Sequence, residues 1–409
     1  MYETNMGSIF MIFTGQTSSF NEFLFEQYKH INSLMGFEGP LFALTIMIIE
    51  IFAIKYIQKK EIPWREIVFN LNSGQGLMWF FRAVELLCFA TILKYSSFNI
   101  VNSWNLVYQI IFTFFAWDLC FYWLHRLHHK IPLLWSVHVV HHEGEHYGLS
   151  LGIRNSWYSS LASIPFFLIL AVIGVPIEVF IGISSFHYGV QLYNHNNIVN
   201  KSGFLESFMT TPSLHRVHHG INPMYIDTNF GGTLNFWDRM FGTAQKELDD
   251  VQIIYGVKDS IKTDNPFWAS NIPVLSYLKM NIPKIKRDKE SMAIVSDLFI
   301  ATGGILSFTS IVYYIYHLNI GMTGIKQFIF LMLTIVATIA LGAASDGKEW
   351  GVKLWIFTNN ILFVALIIYY GLFDIAGIFV FSLLFLHGLY GIKYILPKNN
   401  NGSLNKASI

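Results

Sequence analysis

The sequence predicts an all-α integral membrane protein, and three observations support this fold class. The mean hydropathy is +0.43, and 53% of the residues are hydrophobic while only 13% are charged, which is not the composition of a water-soluble chain. Apolar stretches long enough to cross a bilayer, which takes roughly 20 residues, recur along the chain. Twelve of the 15 histidines lie between residues 125 and 219. We therefore expect about seven transmembrane helices and a membrane hairpin, with a histidine-rich cytoplasmic cap.

Seven apolar stretches are expected to form the transmembrane helices, and an eighth is expected to form the hairpin. The eighth stretch, 157–193, is interrupted at Gly174–Pro176, so each half is short for a crossing and the break favours a turn. A hairpin returns the chain to the side that it left. The seven predicted spans lie near 39–58, 76–94, 104–124, 294–316, 323–345, 353–372 and 374–396.

Basic residues predict the orientation of these spans, because Lys and Arg near span ends favour the cytoplasm. When the crossings are followed in order, only the isolated Lys94 and Lys326 fall on the opposite side from all the basic clusters. The histidine clusters are therefore expected on the cytoplasmic face of an inner membrane or of the endoplasmic reticulum. The basic clusters are Lys55 to Arg65, Arg126 with Lys130, Lys284 to Lys289, Lys348 with Lys353, and Lys393 with Lys398.

The chain is expected to divide into four segments. Residues 1–35 form an N-terminal segment and 36–290 form the histidine-rich membrane domain, in which 201–290 caps the hairpin on the cytoplasmic side. Residues 291–397 form a C-terminal extension of four transmembrane helices, and the Asn-rich 398–409 is expected to be disordered.

Charge and cysteine content exclude some classes of function. The formal net charge of +1 provides no broad basic field, so nothing indicates nucleic-acid binding. Cys88 and Cys120 both lie in apolar runs, which argues against a disulfide framework or a cysteine metal site. No flavin, nicotinamide or haem signature is present, so any electrons must come from outside the chain.

The spacing of eight histidines predicts a metal centre. Residues three and four apart share one face of a helix, so each cluster is expected to aim its imidazoles at one point. Eight neutral imidazoles without a cation would be a dense polar group with no structural need, and eight ligands exceed what one ion takes, which favours two ions. The clusters are His125 with His129 (HxxxH), His138 with His141 and His142 (HxxHH), and His215 with His218 and His219 (HxxHH).

A ninth ligand is expected just after the hairpin. His195 follows Gln191 and His187 at steps of four, which places the three residues on roughly the same helix face. We expect His195 to be a ligand and Gln191 to support it. His187 is a possible further ligand, a core histidine or a supporting group, whereas His128 and His146 fit surface or supporting roles better.

Three other polar residues are expected to support the ligands without binding metal themselves. Asp118 lies seven residues before His125 on the same face of an apolar span, where a carboxylate needs a partner. It is expected either to accept the second N–H of His125 or to pair with Arg82 or Arg126. Asp227 and Asn229, in the segment "DTNFGG", are expected to support the third histidine cluster or to form structural turns.

The chain resembles the fatty acid hydroxylase/sterol desaturase superfamily of membrane enzymes. The resemblance rests on "WDLCFYWLHR" (117–126), on "HRLHHKIPLLWSVHVVHH" (125–142) and on "PSLHRVHHGINPMYIDTNFGGTLNFWDRMFGT" (212–243). Within the superfamily the chain is most similar to the branch that oxidises alkylglycerols, through "EHYGLSLGIRNS" (145–156), "QLYNH" and the four apolar spans after residue 290.

This resemblance implies a non-haem centre of two iron ions that activates O2 to hydroxylate a lipid alkyl carbon. For an alkylglycerol, hydroxylation next to the ether oxygen gives a hemiacetal that collapses to a fatty aldehyde and a glycerol derivative. The alkylglycerol branch implies tetrahydrobiopterin as the external reductant, whereas other members take electrons from a protein donor. The spacing of the histidines does not choose among iron, zinc and copper; iron follows from the resemblance alone.

Two departures from the family pattern bear on the substrate and the reductant, and they leave the metal ligands unaffected. Lys130 stands where the resembled branch has an acidic residue, and Gly148 stands where an asparagine is expected.

The alternative functions within the same superfamily are a fatty-acyl, sterol or amino-lipid hydroxylase or desaturase with the same ligands. From other classes, the alternatives are a transition-metal transporter and a haem-binding electron carrier. Transporters bind their substrate ions near the bilayer midplane, whereas these histidines lie at the ends of the predicted spans or beyond them.

Overall fold

The computed structural model describes residues 38–258, 260, 262–282, 294–315, 325–370 and 375–396, together with Phe23, Glu26 and Gln27. This part of the chain is helical, and its only β-type pairing is a single bridge between Met209 and Leu234. Lys284 to Lys289, His30, His317 and the predicted disordered tail lie outside the described residues. The helices are α1 (Glu38–Tyr56), α2 (Trp64–Asn72), α3 (Leu77–Tyr95), α4 (Leu106–Lys130), α5 (Pro132–His142), α6 (Ser159–Val172), α7 (Ile177–Asn194), α8 (Pro212–His218), α9 (Phe236–Met240), α10 (Pro266–Tyr277), α11 (Asp297–Tyr313), α12 (Ile325–Ser345), α13 (Glu349–Tyr370) and α14 (Ile375–Tyr390).

Helices occupy all seven predicted span positions, which confirms the all-α membrane class. Five helical segments among the described residues are long and apolar enough to cross a bilayer. The other two positions hold α1 and α11, and α11 is an apolar helix of only 17 residues. The five segments are Trp64–Tyr95, Leu106–Lys130, Phe328–Ser345, Glu349–Tyr369 and Ile375–Tyr394.

The predicted hairpin is formed by α6 and α7, with its turn at the predicted break. Gly174 has φ +91, and a Cβ at this position would lie 2.7 Å from the Cα of Asn99, so the turn requires glycine. Pro176 immediately precedes α7, where its fixed φ suits a helix start. The two arms pack against α4, and Phe167 and Phe180 of the hairpin join Trp117 of α4 in one buried cluster.

The elbow between α4 and α5 brings the first two histidine clusters together. Asn105 caps the start of α4 by accepting a hydrogen bond from the backbone N–H of Tyr108 at 3.2 Å. The helix ends at Lys130, because Ile131 is extended before Pro132, which then begins α5. The histidines at the end of α4 therefore lie beside those of α5.

The C-terminal helices α11 to α14 share a hydrophobic core with α2, which belongs to the histidine-rich domain. Val68 of α2 lies in that core, and a Cβ on Gly304 of α11 would lie 2.2 Å from its side chain, so the two helices are in close contact. Arg65 of α2 bonds Asp297 at 2.7 Å and the carbonyl of Ser345 at 2.9 Å. The boundary at residue 290 remains a prediction.

His387 has a structural role among the C-terminal helices. Its Nδ1 accepts a hydrogen bond from the indole N–H of Trp355 at 3.0 Å, and its Nε2 lies 3.1 Å from the carbonyl of Phe299. The side chain is buried in the C-terminal helices, away from the other described histidines.

Candidate metal centre

Nine imidazoles converge in two groups, and in each group one nitrogen from every ring lies within 4.8 Å of the others. These nine are the histidines that spacing and resemblance singled out as ligands. The five-histidine group contains His125, His129, His138, His142 and His218, and the four-histidine group contains His141, His195, His215 and His219.

Each HxxHH cluster contributes to both groups, so the expectation that a cluster aims at one point was wrong for the second and third clusters. Successive residues of a helix are rotated by about 100°. His138 and His142 are four apart and share a face, but His141 points about 100° away from His142 and joins the other group. Two interleaved clusters can therefore form two adjacent sites.

In the four-histidine group, backbone carbonyls fix which nitrogen carries the proton. The Nδ1 of His141 lies 2.9 Å from the carbonyl of Arg154, and the Nδ1 of His195 lies 2.8 Å from that of Gln191. A carbonyl only accepts, so both Nδ1 atoms donate, and each Nε2 presents a lone pair. The Nε2 of His195 nevertheless lies 3.3 Å from that of His141, which sets two lone pairs against each other.

These separations fit a bound cation. The Nε2 of His195 also lies 3.1 Å from the Nε2 of His215 and 3.3 Å from that of His219. Four nitrogens around one ion with bonds of 2.0–2.1 Å would be about 3.3 Å apart in tetrahedral geometry. A cation between the nitrogens turns a repulsive contact into four bonds.

The five-histidine group is oriented in the same way. The Nδ1 of His125 lies 2.9 Å from the carbonyl of Phe230, and the Nδ1 of His218 lies 2.9 Å from that of Thr228. The Nε2 of His218 lies 3.1 Å from the Nε2 of His142. Three buried Nε2 atoms of this group have no hydrogen-bond partner in the described residues, and a metal ion would satisfy them; they belong to His125, His129 and His138.

Burial keeps the imidazoles neutral, as metal ligands must be. Desolvation lowers the pKa of His195 to about 4. Desolvation, reinforced by neighbouring imidazoles, lowers the pKa of the other ligand candidates outside α4 well below the usual value of 6.5. These are His138, His141, His142, His215, His218 and His219.

Asp118 does not bond His125, which corrects the first expectation for this residue. Its carboxylate accepts from the backbone N–H groups of Thr233 at 2.9 Å and Leu234 at 3.1 Å, and from the indole of Trp237 at 2.9 Å. The alternative ion pairs are not formed either, because Arg82 bonds Glu85 and Arg126 bonds Tyr122. The carboxylate therefore acts on His125 only indirectly, through the loop that carries Phe230.

His187 lies outside both metal groups. Its ring stacks on Trp117 with a centroid distance of 4.4 Å, and its Nδ1 lies 3.3 Å from Asp118 and hydrogen-bonds the hydroxyl of Thr233. The α7 helix carries His195 to the metal groups at its C-terminal end, whereas His187 is two turns earlier. His187 thus supports the loop that Asp118 also holds.

The loop from Thr228 to Leu234 is held between two carboxylates. Asp238 accepts from the backbone N–H of Phe230 at 2.7 Å and of Gly231 at 2.8 Å, and Asp118 accepts from those of Thr233 and Leu234. The carbonyls of Thr228 and Phe230 then point at two imidazoles of the five-histidine group. Sequence patterns do not reveal such carbonyls, because every residue has one.

Asp227 and Asn229 lie at the start of this loop; Asp227 contacts the first histidine cluster, and Asn229 lies next to the third. Asp227 Oδ1 is 3.7 Å from the Nδ1 of His129, and its Oδ2 accepts from Lys130 at 2.6 Å; these neighbours lower its pKa to about 2. Asn229 donates to the carbonyl of Leu214, next to the third cluster, at 2.9 Å. Both residues have positive φ, which Asp and Asn tolerate better than most residues.

The two departures from the family pattern each lie beside a carboxylate. Lys130 pairs with Asp227, and a Cβ on Gly148 would lie 3.1 Å from Glu50 Oε2. Glu50 is buried and accepts from the backbone N–H of Leu149 at 2.7 Å and of Asn197 at 3.0 Å. Glu50 therefore ties α1 to the loops on both sides of the hairpin.

Sequence reasoning missed two groups around His141 and His195. The guanidinium of Arg154 is buried and donates to Asn70 at 3.2 Å, which fixes the carbonyl that orients His141. Tyr147 stacks on His195 with a centroid distance of 5.8 Å and donates to the carbonyl of Asn194 at 2.7 Å. In the sequence, Arg154 is part of the segment "EHYGLSLGIRNS" that carries the resemblance, but no pattern indicates its role beside His141.

Gly152 approaches His195 closely enough that a methyl group there should disturb the four-histidine group. An added Cβ would lie 3.0 Å from the Nδ1 of His195 and 3.1 Å from its Cγ. We expect Gly152→Ala to weaken metal binding at this group by about 10- to 100-fold, as when partners that orient a ligand are lost. Gly189→Ala, whose Cβ meets nothing within 4 Å, is the matched control. Metal content measured across a chelator titration tests this, and equal retention by both variants would contradict it.

The part of the chain that holds the two metal groups is similar to known membrane enzymes. The family described as fatty acid hydroxylase matches residues 110–243, which include all nine imidazoles. An alkylglycerol monooxygenase of Xenopus tropicalis is 36% identical over 188 residues, 46% of this chain and 41% of that protein. One of Danio rerio is 31% identical over 293 residues, 70% of this chain and 63% of that protein. An ornithine lipid hydroxylase of Rhizobium tropici is 30% identical over 156 residues, 37% of this chain and 46% of that protein.

The chain thus spans less than two thirds of the length of each of these relatives. No solved structure matches significantly.

Proposed function

We propose that this protein is a membrane-bound non-haem di-iron lipid monooxygenase. The premise is that residues 110–243 match the fatty acid hydroxylase family. The observation that carries the proposal is the convergence of nine neutral imidazoles in groups of five and four. The favoured substrate is the O-alkyl chain of an alkylglycerol, because the matched alkylglycerol monooxygenases cover the larger share of this chain. The products would be a fatty aldehyde and a glycerol derivative.

The two groups would hold one iron ion each. Bound iron would supply the redox chemistry that reduces O2 and breaks a lipid C–H bond, which zinc does not offer. The protein would contribute fixed, neutral nitrogen ligands, since carbonyls of Phe230, Thr228, Arg154 and Gln191 each hold one imidazole proton on Nδ1. Burial of the same rings would exclude water from the reacting carbon.

The four-histidine group would leave more room for an external ligand than the five-histidine group. His141 and His195 would help to hold an ion in the smaller group, which has fewer protein nitrogens and so would leave more access for a small external ligand such as O2. Lys130 and Asp227 lie at the larger group, next to His129.

The reductant is external to the chain. By analogy with the alkylglycerol branch we propose a reduced pterin such as tetrahydrobiopterin, with an electron-donor protein as the alternative. The metal groups would face the cytoplasm; this is supported by Arg126 and Lys130 at the end of α4, since basic residues near span ends favour the cytoplasm.

A second candidate is hydroxylation of an amino lipid. It is favoured by the similarity to the ornithine lipid hydroxylase and by Lys130, whose charge differs from the acid expected there. A fatty-acyl or sterol hydroxylase or desaturase would use the same ligands. The transporter becomes less favourable, because the imidazoles meet at the end of α4 and not within broken helices near the midplane.

The direct test is release of fatty aldehyde from a 1-O-alkylglycerol by the iron-loaded full chain, given O2 and a reduced pterin. His141→Ala, which removes one imidazole of the four-histidine group, should release none. Absence of aldehyde from the unaltered protein, with two irons bound, would reject the alkylglycerol assignment. The same preparation would then be assayed with an ornithine lipid.

A further inference from the structure

The two segments that precede and follow the third histidine cluster have an unusual distribution of polar and apolar side chains. Four large apolar side chains are exposed, Phe204 by 77%, Phe208 by 42%, Phe236 by 52% and Met240 by 51%. We call these four residues the apolar shelf. Its two parts are adjacent, because the side chain of Asn235 donates to the carbonyl of Glu206 at 2.8 Å.

The carboxylates of the same two elements point inward. Glu206 accepts from the backbone N–H of Ser202 and from the hydroxyl of Ser213, both at 2.9 Å. Asp238 is buried and accepts from backbone N–H groups of the loop at Phe230. A segment that faces water normally shows the opposite arrangement, with carboxylates outside and aromatic rings inside.

The shelf is continuous with the membrane-spanning surface of α4. Phe241, directly after α9, contacts Tyr122 and Trp123 of α4 with centroid distances of 5.2 and 5.0 Å. Trp237 reaches Asp118, which lies eight residues, or about 12 Å along the helix, inside Arg126. The first cation at this end of α4 is Arg126, so Trp237 reaches well below the level of the headgroups.

Several backbone groups beside the shelf are paired with side chains of the protein. The amide groups of Asn235 and Asn194 donate to the carbonyls of Met209 and Gly232, at 2.8 and 3.0 Å. Asp118 and Asp238 accept four backbone N–H groups of the loop between Phe230 and Leu234. Irregular backbone at membrane depth is tolerated only when its polar groups are paired within the protein, and this loop meets that condition.

We propose that the apolar shelf inserts into the lipid bilayer, so that residues 203–208 and 236–241 form an interfacial, membrane-embedded element and not part of a water-exposed cap. The shelf would contact the boundary between the headgroups and the acyl chains in the leaflet that surrounds the end of α4. Arg239, exposed between Phe236 and Met240, donates to the carbonyl of Glu206 at 3.0 Å, and in this placement its guanidinium would lie at the level of the lipid phosphates. If the proposed function also holds, an alkyl chain reaches the imidazoles from within the bilayer.

The test uses spin labels on the full chain in phosphatidylcholine vesicles, in a background in which Cys88 and Cys120 are replaced by alanine. Labels at Phe204→Cys and Phe236→Cys report collision rates with O2, which concentrates in lipid, and with a water-soluble nickel chelate. Phe115→Cys, on the exposed face of α4, is the lipid control, and Asp250→Cys, on an exposed loop, is the water control.

We expect the ratio of O2 to nickel collision rates at both shelf positions to match that at residue 115 and to exceed that at residue 250 several-fold. Ratios like that at residue 250 would overturn the proposal. Labels shielded from both reagents would also overturn it, since a protein surface would then cover the shelf. Phe208→Cys provides a further position if one variant fails to fold. The collision rates do not depend on bound metal or on enzymatic activity. Failure of the shelf to insert can therefore be distinguished from failure of the proposed function.

Discussion

Replacing His195 with alanine is expected to lower the metal content from two ions to one per chain and to reduce product formation by at least about 100-fold, more than loss of a supporting residue costs. The reason is the central position of this ring. Its Nε2 lies within 3.3 Å of the Nε2 atoms of His141, His215 and His219. Without it, three nitrogens remain on one side of the site. The five-histidine group shares none of these rings and should keep its ion.

His146→Ala is the matched control for this variant. His146 belongs to neither metal group, and only its backbone N–H has a described role, in donating to Glu66 at 2.9 Å. It should retain two ions and full activity. Metal analysis of the purified chain and an aldehyde assay measure both quantities. Two ions bound to the His195→Ala chain would exclude His195 as a ligand, and loss of both ions would mean that the sites do not fill independently.

Replacing Asp118 with alanine is expected to destabilise the protein by about 3 kcal/mol, because one buried and two partly buried N–H donors lose their acceptor, at about 1–3 kcal/mol for a buried one and less for the others. These donors are the backbone of Thr233 and Leu234 and the indole of Trp237. The freed loop should also move the carbonyl of Phe230 away from His125. Metal should therefore be lost from the five-histidine group before the four-histidine group.

Thermal unfolding and metal content of the detergent-solubilised chain test this expectation. Asp118→Asn should fall between the alanine variant and the unaltered chain, since its amide oxygen still accepts but its NH2 group faces a donor. Asp249→Ala is the control, because Asp249 is exposed and pairs with the exposed Lys201, and such surface ion pairs contribute little to stability. If the melting temperature of the Asp118→Ala chain fell no further than that of the Asp249→Ala chain, other contacts would hold the loop.

The spacing of the histidines was sufficient to find the candidate ligands but not to sort them. The rings of the HxxxH and HxxHH clusters were predictable because each cluster lies on a local helix, and helix geometry is fixed by sequence separation. The sorting into five and four was not, since it depends on how α4, α5, α7 and α8 pack. His141 belongs with His195, which is 54 residues away along the chain.

Asp118 shows why the supporting contacts were harder to predict. Its position in an apolar span correctly indicated that it needs a partner. The partner could not be read from helix periodicity, because it is the backbone of a loop 115 residues later in the chain. The exposed apolar surface at Phe204 and Phe236 could not be predicted from the sequence either. Residues 201–290 have little sustained hydrophobicity, which is typical of a water-exposed segment, and only the folded surface brings these side chains together.

The sequence by itself determined the all-α membrane class, the hairpin turn at Gly174 and the identity of the nine candidate ligands. Those features depend on local composition and on helical periodicity, which act over a few residues. Only the tertiary structure decided which imidazoles share a group, which carbonyls orient them and which carboxylates hold those carbonyls. The grouping of the imidazoles depends on contacts between segments far apart in sequence. The orienting carbonyls are backbone groups, which every residue has and which leave no pattern in the sequence.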